Sequence, residues 1–238
     1  MSALYARQID VGGGVIVCVP TVGEIVDHED TYYGCVQTII ATPYDLMVEL
    51  DDAGINFAEI SDYELFLTLF PSLTKHDTSL IFGDLDLSKF MITRSKENGD
   101  IVICNDETGV VIDKVVHHRI CACLRKMLSI ERVDKRPGNE EARKYMLERA
   151  RQKRKRAARN RRQKNQTPLE SQIIALVNTE QFPYNYETVR DVTIFQFYAS
   201  LKQISHKIHY DNVMGGYYAG TVKLESLKQQ DRTWMLTE

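Results

Sequence analysis

Several features are missing from this chain, and each absence excludes a class of protein. No stretch approaches the run of about 20 apolar residues that a membrane-spanning helix needs. The opening MSALYARQID has no basic segment followed by an apolar one, so we expect no secretory signal. The five cysteines are odd in number and widely scattered, which is typical of reduced thiols and excludes a disulfide framework. The sequence therefore predicts a soluble intracellular protein with no membrane contact.

Motifs that carry known chemistry are missing too. The chain has no Gly-x-Ser-x-Gly, His-Glu-x-x-His or kinase-type set. The three glycines at 12–14 lack the order of a phosphate-binding loop and stand between alternating apolar residues, so they predict a hairpin turn. We expect a protein that is not an enzyme and uses no cofactor.

His117, His118, Cys121 and Cys123 lie close together in the sequence and are candidate metal ligands. On a helix His117 and Cys121 are one turn apart and could share a zinc ion, whereas the other two side chains face elsewhere. A closed zinc site needs four convergent ligands, and the chain has no second pair at metal-binding spacing. We therefore expect no metal, with the cysteines in the core and the histidines on the surface.

Charge is distributed very unevenly. Residues 1–100 hold 17 acidic and 5 basic side chains, whereas residues 142–164 hold 12 basic and one acidic. Ten of the chain's 30 lysines and arginines lie between residues 149 and 164, where no acidic residue occurs. The two regions nearly cancel, so the chain could pair with itself, within one molecule or between copies, or bind an anionic partner.

Hydrophobic periodicity and capping signals predict an α+β fold that is mainly helical. Helical spacing indicates a helix over 22–41, and two shorter capped helices follow before residue 71. Residues 78–112 contain extended apolar runs and an Asn-Gly turn, which predict three or four short antiparallel strands. Helical spacing returns from Asp113 to about Ile130.

A long basic helix is predicted after the Pro-Gly break at 137–138. Asn139 offers an N-cap, and no large apolar residue occurs between Leu147 and Leu169, so this helix should project from the body. We accordingly predict an acidic α+β domain over 1–136, a linker and basic helix over 137–167, and a helical region over 168–238. The candidate contact residues for nucleic acid or an acidic partner are Arg149, Arg151, Lys153, Arg154, Lys155, Arg156, Arg159, Arg161, Arg162 and Lys164.

An amphipathic stretch at 188–208 is the other candidate surface. Its wide apolar face could form a groove for an apolar helical partner. The residues proposed to line that groove are Phe195, Tyr198, Leu201 and Ile204.

Several stretches of the chain resemble tail-module proteins of tailed bacteriophages and prophages in Gram-positive gut bacteria. Besides the basic helix after NEEARKYMLERAR, the stretches are VPTVGEI (19–25), TPYDLMVELDDAGI (42–55), SDYELF (61–66), SLIFGDLDLSKF (79–90), TIFQFYASLKQI (193–204), YYAG (217–220) and DRTWM (231–235). The resemblance implies a non-enzymatic virion or tail-assembly protein, such as a tail-assembly chaperone that works near the tape-measure protein. It implies other phage proteins, or further copies of the chain, as partners, and the host cytoplasm or the virion as location.

The sequence supports two hypotheses of function. The first is a phage structural or tail-assembly protein that acts through protein–protein contacts. The alternative is a nucleic-acid-binding protein that uses the basic helix 149–164, since clustered cations neutralise phosphates without reading sequence.

Overall fold

The structure, a computed structural model, describes residues 3–95, 99–133, 135–160, 168–223, 225 and 227–236. It confirms the predicted α+β class, mainly helical with two small antiparallel sheets. The strands are β1 (Gln8–Gly12), β2 (Val15–Cys18), β3 (Met91–Arg94), β4 (Ile101–Asn105) and β5 (Val110–Ile112). The helices are α1 (Val22–Val26), α2 (Glu29–Ile40), α3 (Met47–Asp52), α4 (Asp62–Leu73), α5 (Ser79–Phe82), α6 (Lys114–Met127), α7 (Glu140–Asn160), α8 (Pro168–Val177) and α9 (Ile194–Tyr218).

The predicted glycine hairpin joins β1 to β2. Gly12, Gly13 and Gly14 all have positive φ, which side chains rarely adopt. A Cβ on Gly13 would lie 2.8 Å from Val116 Cγ2 and 2.9 Å from the carbonyl oxygen of Val111. The turn is therefore pressed against α6 and β5, and glycine is needed there for space as well as for backbone conformation.

The single helix predicted over 22–41 is wrong: the chain forms α1 and α2 with a break at Asp27 and His28. Asp27 accepts two hydrogen bonds from Arg190, at 3.0 and 2.9 Å. A Cβ on Gly23 would lie 3.1 Å from the Arg190 carbonyl oxygen. The break thus lets α1 lie directly against the short 3₁₀ turn Thr188–Asp191.

The predicted strands over 78–112 are only partly correct. A three-stranded sheet, β3–β4–β5, occupies 91–112, but the preceding residues form α5 and the 3₁₀ turn Leu87–Lys89. Asp77 accepts from the Ser79 N–H and Asp86 from the Ser88 N–H, each at 2.9 Å. These local side-chain bonds begin helical turns and outweigh the extended preference of the apolar residues.

One large hydrophobic core joins the amino-terminal elements to α8 and α9. Its members include Ile25 and Val36 together with Leu169, Leu176 and Phe197, all almost fully buried. Backbone hydrogen bonding also crosses this junction, because Thr21 and Thr193 form an isolated antiparallel bridge. Each of these threonines also caps a helix through a capping box.

A second, smaller core lies between α3, α4 and α7. It is built from the buried side chains of Met47, Val48, Leu50, Phe57, Leu65 and Leu147. Leu147 is the buried residue that the basic helix contributes to this core.

Candidate recognition surfaces

The basic helix α7 begins as the sequence predicts. Asn139 accepts the Ala142 N–H at 2.8 Å and so caps the helix. Arg143 binds Glu140 one turn away through two hydrogen bonds of 2.8 Å. The helix then lies along α3, with Leu147 buried and its neighbours Met146 and Ala150 partly buried against the same cluster.

Three arginines of α7 form ion pairs with the acidic end of α3. Arg143 Nη1 lies 3.3 Å from Asp51 Oδ1, and Arg151 Nη2 lies 2.9 Å from Asp51 Oδ2. Arg151 Nη2 is also 2.6 Å from Asp52 Oδ1. Arg154 Nη1 lies 2.8 Å from Glu49 Oε1. Hydrogen bonds from Arg151 and Arg143 hold the pKa of Asp51 below its ordinary value.

This docking corrects the expectation of a helix that projects from the body beyond Leu147. The contact continues for two further turns, because ionic contacts take over where apolar residues end. Arg151 and Arg154, both candidate contact residues, are thereby engaged within the chain. The idea that the acidic and basic regions could pair within one molecule is confirmed for these residues.

The opposite side of α7 is exposed to solvent and positively charged. Arg149, Lys153, Lys155 and Arg156 are exposed, and none forms an ion pair within the part of the chain that the structure describes. Tyr145, 60% exposed, stands at the start of this side, and the guanidinium of Arg149 lies 5.7 Å from its ring centroid. We call the exposed side formed by residues 145, 149, 153 and 156 the outer face of α7; Lys155, one turn after Arg151, is exposed at its flank. Of the other predicted cations, Arg159 lies within α7, whereas Arg161, Arg162 and Lys164 lie outside the described residues.

The predicted groove on α9 is occupied by the protein itself. Ile204 is buried in the large core, and Phe195, Tyr198 and Leu201 pack partly buried against it. The hydroxyl of Tyr198 lies 3.0 Å from that of Tyr33 on α2. Burial raises the pKa of Tyr198, so this pair is neutral at physiological pH.

A surface that the sequence reasoning missed lies further along α9. Residues 227–236, here called the return segment, fold back along the helix. The Gln203 side chain donates to the Trp234 carbonyl at 2.7 Å and accepts the Leu236 N–H at 3.0 Å. His206 Nε2 lies 2.8 Å from the Thr233 carbonyl oxygen and must donate, since a carbonyl only accepts.

The return segment holds apolar side chains out in solvent. Trp234 is 49% exposed and Met235 53% exposed, with Leu236 beside them. Their backbone is fixed by α9, so the exposure does not come from a loose chain. A signal was available in the sequence: the chain's single tryptophan stands in a polar segment and is followed by Met and Leu.

His117 and Cys121, the two residues that could share a zinc ion, have a structural role. His117 Nε2 and Cys121 Sγ lie 3.1 and 3.3 Å from the carbonyl oxygen of Ile39, and Arg125 donates to the next carbonyl, that of Ile40. Both carbonyls belong to the last turn of α2, where no intrahelical donor is available. One face of α6 therefore caps α2.

Of these two side chains, His117 is not where the sequence predicts it. Cys121 is buried as predicted, but His117 is only 2% exposed, stacked on Phe66 with ring centroids 4.2 Å apart, so its predicted surface position is wrong. Burial lowers the pKa of His117 to about 4 and raises that of Cys121 to about 12. Among the described residues, no group of three or more His, Cys, Asp or Glu is placed to hold a metal ion.

Comparison with known proteins adds one match. Residues 161–237, about a third of the chain, match the family model described as YomV second domain. That family takes its name from a protein of a Bacillus phage region, so the match supports a phage-associated protein. No curated protein and no solved structure shows significant similarity to the chain. The matched segment includes α8, α9 and the return segment.

No helix in the described part of the chain is long and apolar enough to span a bilayer.

Proposed function

We propose that this protein is a non-enzymatic structural or assembly component of a tailed phage, acting through protein–protein contacts as a tail-assembly chaperone or virion protein. The observation that carries the proposal is the apolar surface of the return segment, within the stretch that matches a phage-associated family. We expect the protein in the host cytoplasm during assembly, or in the particle itself.

The return segment has the chemistry of an interface centre. Tryptophan contributes disproportionately to binding energy at protein interfaces, and methionine adapts to irregular partner surfaces. The three apolar side chains at 234–236 are contiguous in sequence, and the Gln203 side chain hydrogen-bonds to the backbone of Trp234 and Leu236, so little backbone entropy is lost when a partner covers them. A tail protein of the tape-measure type, long and helical with apolar stripes, would fit such a surface.

The titratable groups with strongly shifted pKa values support a role without catalysis. Within the described residues, the Cys121 thiol lies 3.3 Å from Nε2 of His117, which is the pairing of a base and a thiol to consider. Both are buried, and both are committed to carbonyl groups of α2. A thiol with a pKa of about 12 holds almost no thiolate at neutral pH and is a poor nucleophile.

Co-expression with tail proteins of a tailed phage, including its tape-measure protein, tests the proposal. The tagged chain should co-purify with the tape-measure protein, and the variant W234A/M235S should lose at least about 90% of that complex, because truncated hot-spot residues cost about 2 kcal/mol or more. The matched control is Y5A/M91S, which removes an aromatic and a methionine that are also exposed. It should leave the complex intact.

Two results would count against the proposal. One is the failure of any tail protein to bind the unmodified chain; the other is equal loss in both variants. If the unmodified chain instead forms oligomers that only W234A/M235S disrupts, the partner is a second copy of the chain and the tape-measure assignment is wrong.

A further inference from the structure

We infer that the outer face of α7 binds nucleic acid through its phosphates, independently of base sequence. The inference goes beyond the proposed function, since it assigns the protein a second kind of ligand on a different surface. It rests on how the cations of α7 divide between the two sides of the helix.

The inner side of α7 is electrically balanced. Three arginines, at 143, 151 and 154, face three carboxylates of α3, at 49, 51 and 52, at distances from 2.6 to 3.3 Å. Glu148 of α7 is exposed and accepts a hydrogen bond from Gln152 at 3.3 Å, whereas the three carboxylates of α3 are neutralised within the molecule. They no longer oppose the approach of a polyanion, although the amino-terminal region as a whole is acidic.

The cations on the outer face are not neutralised by carboxylates among the described residues. Arg149, Lys153 and Arg156 follow the spacing i, i+4, i+7, which places them on one stripe of the helix about 10 Å long at about 1.5 Å per residue. All three are exposed, and none has an acidic partner within the described residues. A stripe of unpaired cations releases counterions when it meets phosphates, and this is the main source of non-specific affinity for nucleic acid.

The composition of the outer face favours nucleic acid over an acidic protein. A stable protein interface needs an apolar centre that excludes water. The outer face carries cations and one aromatic ring and has no aliphatic side chain. Aliphatic residues of α7 such as Leu147 point into the small core instead.

Tyr145 supplies the one aromatic contact that a nucleic acid could use. Its ring is 60% exposed at the start of the stripe, beside the guanidinium of Arg149. An unpaired base can stack on such a ring whatever its identity, whereas a base within a duplex cannot. The geometry therefore points to single strands as better ligands than duplex.

Fluorescence anisotropy with labelled strands of about 20 nucleotides tests the inference on the full chain. The probes are single-stranded DNA, single-stranded RNA, duplex DNA and polyglutamate, each at about 50 and 200 mM salt. The variant R149Q/K153Q/R156Q should bind all nucleic acids more weakly, and the slope of log affinity against log salt should fall by about 2 to 3, the value for three phosphate contacts. Tyr145→Ala should weaken single-strand binding about 5-fold or more and leave duplex binding unchanged.

The control K75Q/K126Q/K202Q removes the same charge from exposed lysines elsewhere and should bind like the unmodified chain. Thermal unfolding of each variant checks that the fold is retained. The inference is overturned if no probe binds at about 50 mM salt, if both triple variants lose affinity equally, or if polyglutamate binds as tightly as nucleic acid. None of these results bears on the complex with tail proteins, which depends on the return segment.

Discussion

Arg151 on α7 and Asp51 on α3 form an ion pair with 2.9 Å between Nη2 and Oδ2. This pair, with those of Arg143 and Arg154, turns one side of the basic helix towards the body. The sequence predicts this helix as a contact surface, and one of its sides is thus occupied by contacts within the molecule. A partner can reach the outer face and the exposed apolar side chains of the return segment.

The docking of α7 should depend on Leu147 more than on any single ion pair. Leu147→Ala removes a buried side chain from a small cluster, so the free energy of unfolding should fall by about 2–3 kcal/mol. Urea denaturation measures the loss, and hydrogen exchange should show faster exchange in α7 than in α6. The control Ile130→Ala, at a partly exposed site outside both cores, should cost less than about 0.5 kcal/mol. A loss that small for Leu147→Ala would contradict the docked position of the helix.

Stability should fall on acidification through His117. Its pKa is about 4 in the folded protein because burial disfavours the charged ring, against an ordinary value of 6.5. The unfolded chain therefore binds more protons between these values, so this contribution is complete above pH 6.5 and decreases as pH falls towards 4. The shift corresponds to about 3 kcal/mol at pH 4.

The matched variant for this effect is His117→Gln, which does not titrate and can still donate to Ile39. It should be less stable at pH 7, because the stacking on Phe66 is lost, but its stability should depend less on pH. Denaturant titrations of both proteins between pH 7 and 4 give the comparison. Parallel pH profiles would show that His117 is protonated or solvated in the folded state, contrary to the structure.

Two glycine substitutions separate backbone strain from close packing. Gly13 and Gly54 have similar positive φ values, 65° and 74°, but only the Cβ at position 13 would meet neighbouring atoms. Gly54→Ala should cost about 1–2 kcal/mol from the left-handed conformation alone. Gly13→Ala should cost about 1–3 kcal/mol more, because Val116 and the Val111 carbonyl must move. Equal melting temperatures would mean that the hairpin does not press on α6.

Local signals in the sequence were sufficient for much of the fold. The capping boxes at Thr21 and Ser61, the glycine hairpin and the helix after Asp113 all form as expected, since their signals are carried by residues close together in the sequence. The break between α1 and α2 could not be predicted in this way. It depends on Arg190, which is 163 residues away from Asp27.

The candidate surfaces were harder to predict, for the same reason. Composition alone identified the basic helix, but only its contact with Glu49, Asp51 and Asp52 shows which cations are paired. The apolar face of α9 was correctly identified as apolar, yet the large core covers its first half. The exposure of Trp234 follows from a return of the chain onto Gln203, a contact between residues that share no local motif.

The most direct test of the central claim is made in the phage or prophage that encodes the chain. We would introduce W234A/M235S, with Y5A/M91S as control, and count particles by negative-stain electron microscopy. We expect W234A/M235S to yield heads without tails or with aberrant tails and few infectious particles, whereas the control should yield normal tailed phage. Tailed, infectious particles at the unmodified frequency in W234A/M235S would contradict it.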